Sequence, residues 1–533
     1  MTKFFTFVLF LSTYSLSSQT LGYGTISPND MEIGMHSDGT FFMDEFKQEA
    51  GFLVDKNANL ASIFSSSLWS SAYDKDGEIL ASAFTFGGQG GLTPAFIPGP
   101  YAESSFDFDK VWVVNGEHIN ALIDDFSDGS IDNPVDETLL NWPAKGNPNL
   151  TGLPDQDLAP FHDENNDGIY NPLDGDFPEV GDDVNLIPKE MMYAVYRDGV
   201  AGSISHVGLE FHTIMYALSC DNLDQLDKTI FSRHRIVKQD KDVLDLFIGL
   251  WTDFDLGCVT DDAFGTIPEL NALVSYNFDA LDGDENGDCQ FNINSFGNNP
   301  PTQSIVSLNN ETSAMNGYIG TGASAPQGMY EPATLTELHT FMKGLWRDGL
   351  PVTQSIHGYN IASIDSTKFH FNGHVNDPDS WSMSNIDIGQ LPWFNLITTS
   401  HEVVEVGAEI VLDFAHIVSQ DESLNNLETY DQAIQDIISI QQAYDSLFAL
   451  GCSSVTAINE VKFKELSFAP NPVQDIIKIN GTYNTYRIYD SLGRLVKSDQ
   501  ASKLINVDIL VPGIYTIHAE TDKEVRLGKF IKI

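Results

Sequence analysis

Between Asp163 and Asp174 the chain sets oxygen-bearing side chains at alternating positions: Asp163, Asn165 and Asp167, then Gly168, then Asn171 and Asp174. Counted from Asp163 these are positions 1, 3, 5, 6, 9 and 12 of a calcium-binding loop, with the carbonyl of Ile169 available at position 7. A hard cation of that size takes roughly six to eight oxygens, and alternate spacing turns each side chain inward. Asp174 stands where such loops carry a bidentate Glu, and Pro172 opposes a continuous exit helix. The expectation is therefore a loop of calcium type on a β scaffold, against the plainer alternative of an Asx-rich turn whose acids face water.

A second, weaker cluster holds Asp253, Asp255, Asp261, Asp282, Asp284 and Asn286. Asp253 and Asp255 stand two apart at the end of an apolar run, so in a strand their carboxylates share one face. Asp282, Asp284 and Asn286 repeat the alternate spacing before Gly287, but Ile293 fills the twelfth position, so an ion there needs oxygens from the group around Asp253 and Asp261. Paired carboxylates also admit glycoside hydrolysis. A catalytic acid wants an apolar pocket that raises its pKa, whereas these residues crowd with other acids and Asn, so no catalytic residue is assigned. His401-Glu402-Val403-Val404-Glu405 begins like a zinc-protease motif, yet it ends in Glu and reads as strand. His357, His370 and His374 are expected in a hairpin facing solvent, and Trp381 is the tryptophan best placed for an exposed contact.

The elements that must position these residues read as mainly β. Short apolar, β-branched runs recur between Gly-, Pro- and Asn-rich joints: Ile63 to Trp69, Ile79 to Phe84, Lys110 to Val114, Met191 to Tyr196, Leu209 to Leu218, Leu273 to Tyr276 and Val404 to Phe414. Ile230 to Val237 and Val243 to Trp251 flank a polar turn and read as a hairpin. This pattern predicts one or two β-sandwich domains, divided into a β-rich region 20–200 with the calcium-type loop and a β-sandwich region 201–453. One long amphipathic helix closes the second region, carried by Leu427, Tyr430, Ile434, Ile437, Ile438, Tyr444, Leu447 and Phe448. Residues 454–460 form a linker, and 461–533 a small Ig-like β-sandwich.

Charge marks the same boundary. The chain of 533 residues has 76 acidic against 27 basic side chains. After Ser453 there are 11 basic and 9 acidic residues; without these and Lys3, 15 basic face 67 acidic, a net of about −52. Such a surface repels phosphate backbones, which argues against nucleic acid as a partner, and attracts cations. Of four cysteines, Cys220, Cys258, Cys289 and Cys452, none lies in a CxxC spacing, and Cys258 with Cys289 is the preferred disulfide because both lie beside acid-rich loops.

Both ends speak of export. Lys3, the apolar Phe4 to Leu11 and the hydroxyl-rich Ser12 to Ser18 make a signal peptide over residues 1–19, with cleavage expected after Ser17 or Gln19. No run reaches the roughly 18 apolar residues a membrane helix needs, so no transmembrane segment is expected. At the other end, Pro470-Asn471-Pro472, the hairpin around Gly493, Pro512-Gly513-Ile514-Tyr515 and the closing strand with Lys529 resemble the type A C-terminal sorting domain of cargo for the type IX secretion system of Bacteroidota. That resemblance implies passage through the periplasm to the outer cell surface or the medium. It also implies the type IX machinery as partner, then removal of the domain with release or attachment to surface lipopolysaccharide. The middle resembles secreted Bacteroidota proteins carrying the same domain, through the Asp163 to Pro178 loop, Gly249 to Asp255 and Asn298-Asn299-Pro300-Pro301, and this implies no reaction. The sequence thus points to a calcium-stabilised, non-enzymatic β-sandwich with an adhesion or glycan-contact role. The alternative is a secreted hydrolase acting on polysaccharide or protein.

Overall fold

The computed structural model describes residues 21–532 apart from 45–48, 84–92, 94–95, 182–185, 200–204, 220–222, 260, 284–288, 290–293, 321–324, 361, 387–390, 422, 451–463, 467, 470–472, 480–482, 490–494, 501–502, 512 and 521–524. Two large antiparallel sheets dominate it. The first has eight strands, in the order Tyr23–Ile26, Glu32–His36, Phe52–Asp55, Leu60–Tyr73, Val243–Phe254, Trp393–Val404 and Ala314–Ile319, with Ile79–Ser82 on the flank of Leu60–Tyr73. The second has nine: Asp262–Ile267, Ala272–Asn277, Thr302–Ser307, Glu409–Ser419, Thr229–Lys238, Leu209–Ala217, Glu190–Arg197 and Ile97–Pro98, with Trp112–Asn115 also on Glu190–Arg197.

The sheets close on one core. Along Val243–Phe254, Leu246, Ile248 and Leu250 enter that core, while Phe247 and Trp251 point the other way, as a period of two requires. On that outer face Trp251 stacks on Trp69 at 5.9 Å beneath the helix Leu335–Met342, and its indole donates to the Tyr318 hydroxyl at 2.9 Å. The outer face of the second sheet takes Tyr430, Ile437 and Ile440 of the helix Asn426–Leu450. Asn425 and Glu428 cap that helix reciprocally, the Asn side chain accepting from the Leu427 and Glu428 amides and the Glu side chain from the Asn425 amide.

Between the sheets the core is unusually polar. Ser62 Oγ donates across the interface to Gln303 Oε1 at 2.7 Å, and Phe42 sets its edge against His416 at 5.1 Å. A hydrogen-bonded line crosses four strands of the second sheet: Tyr196 Oη to Thr213 Oγ1 at 3.0 Å, Thr213 to His234 Nδ1 at 2.9 Å, His234 Nε2 to Ser232 Oγ at 3.1 Å, and Ser232 to His416 Nε2 at 3.2 Å. Burial holds both imidazoles neutral and lowers each pKa from 6.5 to about 3.

Three expectations change. The runs flanking Lys238 to Asp242 form no hairpin. Thr229–Lys238 pairs with Leu209–Ala217 and Glu409–Ser419, whereas Val243–Phe254 pairs with Leu60–Tyr73 and Trp393–Val404. Each strand is largely buried on both faces and takes a central place in its own sheet, so the turn arches from one sheet to the other. The continuous strand expected over Val404 to Phe414 breaks at a second arch, where Gly407 adopts φ 87°. The arches are tied together: Lys238 N donates to Ala408 O and Gly407 N to Lys238 O. Finally, the division at 200/201 separates Glu190–Arg197 from Leu209–Ala217, which are paired neighbours, and both regions feed both sheets.

The tail forms a separate small sandwich. Val525–Lys532, Gly513–Glu520, Thr485–Tyr489 and Leu495–Gln500 make one sheet with Lys464–Glu465, and Phe468–Ala469, Ile476–Ile479 and Leu504–Asn506 the other. They enclose Val473, Ile477, Ile488, Ile517 and Phe530.

The buried histidines set the response to acid. Their folded pKa values lie below the unfolded value, so the stability these two groups contribute is fully present above pH 6.5 and is lost as pH falls toward 3. Denaturant midpoints measured across this range should fall with pH, and less steeply for His416→Gln. Parallel curves for the two proteins would show that His416 does not titrate against the fold.

Candidate functional site

The loop from Asp163 is held at its base by Phe161–His162 paired with Phe177–Pro178. Asp163 accepts from the amides of Asp167 at 3.2 Å and Gly168 at 2.7 Å. Asn165 Oδ1 accepts from Asp167 N at 2.9 Å, and Asp167 Oδ1 from Ile169 N at 2.8 Å. Gly168 at φ 76° and Asn166 at φ 60° give the sharp turn. Tyr170 is fully buried and anchors the loop through its hydroxyl to Leu139 O at 2.8 Å. Asn171 Nδ2 donates to Asp174 Oδ2 at 2.6 Å. The alternate side chains thus line one tight turn that their own amides close.

Sequence reasoning missed Asp176, two residues beyond the loop. It is buried and accepts from Glu164 N at 2.9 Å and Asn171 N at 2.8 Å. Burial raises its pKa; the two amides oppose that shift, and the charges of Asp163 and Asp167 add to it. The signal was present in the Gly175-Asp176-Phe177-Pro178 ending, since a charged residue beside a strand-forming Phe-Pro is a candidate for a buried carboxylate.

The second cluster divides. Asp253 and Asp255, at the end of Val243–Phe254 in the first sheet, meet Asp262 at the start of Asp262–Ile267 in the second, around a cavity of about 220 Å³. Phe254, Phe264, Trp393, Phe394 and Asn395 supply much of the remaining wall. The three side chains are half-buried and line the cavity, and burial is the first cause of each one's shift. Burial raises the pKa of Asp255 to about 8. Burial, then the Asp255 charge, raises that of Asp253. Burial raises that of Asp262 against the Leu256 amide that donates to it at 2.9 Å. Asp262 Oδ1, Asn395 Nδ2 and Trp393 Nε1 are buried without a hydrogen-bond partner.

Asp261 and Asp282 lie on the far side of this turn. Asp282 accepts from Cys258 N at 2.8 Å and Phe296 N at 2.5 Å, and Asp261 Oδ2 accepts from Gly283 N at 3.0 Å. Burial, moderated by those two amides, raises the Asp282 pKa to about 6. Both therefore serve the loop backbone beside the disulfide between Cys258 and Cys289, whose Cα atoms are 5.5 Å apart. Asp284 and Asn286 lie outside the described residues, as do Cys220, Cys452, the signal peptide and the 454–460 linker.

His370 departs from expectation. It is fully buried among Phe264, Trp346, Phe371, Trp381 and Trp393, in a turn whose backbone is tied to Met315 O by the His370 amide at 2.8 Å, and burial lowers its pKa to about 3. His374 instead stands at the surface, 3.1 Å from Asp431. Trp381 is half-buried on Phe371 and donates to Ile356 O at 3.0 Å. In the tail, Tyr515 stacks on Phe530 at 5.4 Å and donates to Val511 O at 2.8 Å, with Gly513 leaving room beside its ring and Lys529 on the neighbouring strand. Pro470, Asn471, Pro472 and Gly493 fall outside the described residues.

Residues 467–533 match the family of the secretion system C-terminal sorting domain. This supports a secreted chain handled by type IX machinery and delivered to the cell surface or beyond it. No curated protein matches the chain. Among solved structures, a polysaccharide lyase overlaps 64% of this chain at 7% identity with a TM-score of 0.21, and the overlap spans 35% of that protein. A structure of CBM51-2 in complex with GlcNAc and INT domains from Clostridium perfringens ZmpB overlaps 66% of this chain and 96% of its own, at 10% identity and a TM-score of 0.09. Among the described residues no helix is long and apolar enough to cross a membrane. Deleting residues 461–533 should leave the remainder in the periplasm. Recovery of the truncated chain from the medium at the level of the intact one would contradict the assignment.

Proposed function

We propose that this is a non-enzymatic, calcium-stabilised β-sandwich protein of the Bacteroidota. A signal peptide carries it to the periplasm and the type IX machinery across the outer membrane, where it is released or held by surface lipopolysaccharide. Its role there is adhesion or contact with extracellular glycan. The observation that carries the calcium reading is the loop at Asp163. Asp163, Asn165, Asp167, Asn171 and Asp174, with the Ile169 carbonyl, surround one turn whose geometry their own amides fix, above the buried Asp176. Among the described residues no Lys or Arg forms an ion pair with these carboxylates, so a bound cation would supply the missing counter-charge and offset the repulsion that Asp163 and Asp167 add to the effect of burial on Asp176.

A second reading, a secreted hydrolase acting on polysaccharide or protein, is favoured by Asp253 and Asp255, whose aromatic-walled cavity raises their pKa values as a general acid requires. Catalysis that survives purification and disappears in Asp253→Asn or Asp255→Asn, with unchanged melting, would favour that reading over the first.

Calcium should raise the melting temperature of the purified secreted protein and chelator should lower it. At a hundredfold excess over Kd one site contributes about 2.7 kcal/mol. Asp163→Asn with Asp167→Asn should remove that increment. Melting that is indifferent to both calcium and chelator would sink the metal reading.

A further inference from the structure

We propose that the cavity between the ends of the two large sheets is a distinct divalent-cation site, with Asp253, Asp255 and Asp262 as carboxylate ligands and Asn395 as an amide ligand. It deepens the calcium reading by naming a second site of different construction, and it does not depend on the loop at Asp163.

The argument begins with what fills the walls. Three carboxylates share a space of about 220 Å³ with Phe254, Phe264, Trp393 and Phe394, and no Lys, Arg or His lines it. Carboxylates enclosed by rings in low dielectric are costly unless a positive charge joins them. Each can instead take up a proton; a divalent cation is the partner that would let all three stay ionised side by side.

The second observation is independent of the acids. Asn395 is 1% exposed, lines the cavity, and has an amide end without a hydrogen-bond partner. Buried polar groups are almost always satisfied, so an orphan on a side chain in the wall of a cavity marks a missing partner. The two ends of an Asn amide have the same shape, and turned end for end Asn395 presents a carbonyl oxygen, a group calcium accepts. Asp262 Oδ1 is likewise buried and unpartnered. The cavity exceeds a bare ion, leaving room for bound water.

The placement gives the site a task. Asp253 and Asp255 end a strand of the first sheet, Asn395 lies near the start of the adjoining strand Trp393–Val404, and Asp262 opens the edge strand of the second sheet. An ion held by all four clamps the open end of the sandwich, beside the turn that the disulfide Cys258–Cys289 braces.

Terbium luminescence excited through tryptophan tests this on the purified secreted protein, because Trp393 stands in the cavity wall. Emission should rise on adding terbium and be displaced by calcium. It should persist in Asp163→Asn with Asp167→Asn, which silences the loop; adding Asp253→Asn with Asp262→Asn to that variant should abolish it, and adding Trp393→Phe should lower it severalfold with the calcium count per chain unchanged. The carboxylate variants remove unpaired buried charge, so in chelator they should melt no lower than the native protein. Emission unchanged when Asp253→Asn with Asp262→Asn is added to the loop variant would overturn the proposal. So would a change in tryptophan fluorescence caused by an alkylammonium ion and not by calcium. Loss of one calcium per chain in the cavity variant but none in the Asp163 variant would instead refute the loop reading and leave this one standing.

Discussion

Burial of the strand Val243–Phe254 on both faces is the interaction on which the rest of the body depends. Its inner residues Leu246, Ile248 and Leu250 join the core between the sheets, and its outer residues Phe247 and Trp251 join the aromatic cluster under the helix Leu335–Met342. A strand wanted on both faces must be central, with a partner on each side, and Leu60–Tyr73 and Trp393–Val404 provide them. The consequence for chemistry is direct. Asp253 and Asp255 sit at the end of this strand, so the constraint that seats it in the middle of the sheet also drives two carboxylates to the rim of the core.

The interior is correspondingly polar, and it handles polarity in two ways. Along the second sheet the hydroxyls of Tyr196, Thr213 and Ser232 bond both ring nitrogens of His234 and Nε2 of His416 in one continuous line, which helps neutral imidazoles stay buried. At the sheet ends the carboxylates gather without such partners. The same contrast separates Asp282, whose two oxygens are both committed to backbone amides, from Asp262, one of whose oxygens has none. Asp282 is thereby fixed as a brace for its loop, while Asp262 keeps one oxygen uncommitted beside the cavity.

The Asp163 loop is legible because its geometry is local. Side-chain oxygens bonding amides two to five residues on, and a glycine at positive φ, are written into consecutive residues. The helix Asn426–Leu450 and its cap are legible for the same reason. The arch at Lys238 to Asp242 was not, since a polar turn between two β-branched runs has the same signature whether the strands pair or part into different sheets. Strands such as Thr302–Ser307 and Ala314–Ile319 were equally hidden, because Ser, Asn and Gly give weak local preference and only their neighbours bury them.

The sequence by itself determined the β class, the alternating oxygens of the Asp163 loop, the amphipathic helix, the neutral tail set against an acidic body, and the sorting domain that directs export. Each rests on spacing or composition within a single segment. Tertiary structure alone decided that regions 20–200 and 201–453 are interleaved in shared sheets, that His370 is buried, and that Asp282 belongs to a loop backbone. It also brought Asp253, Asp255, Asp262 and Asn395 together from both sheets. Their meeting depends on which strands pair across more than a hundred residues of chain, and that choice is made by burying both faces of the central strands at once.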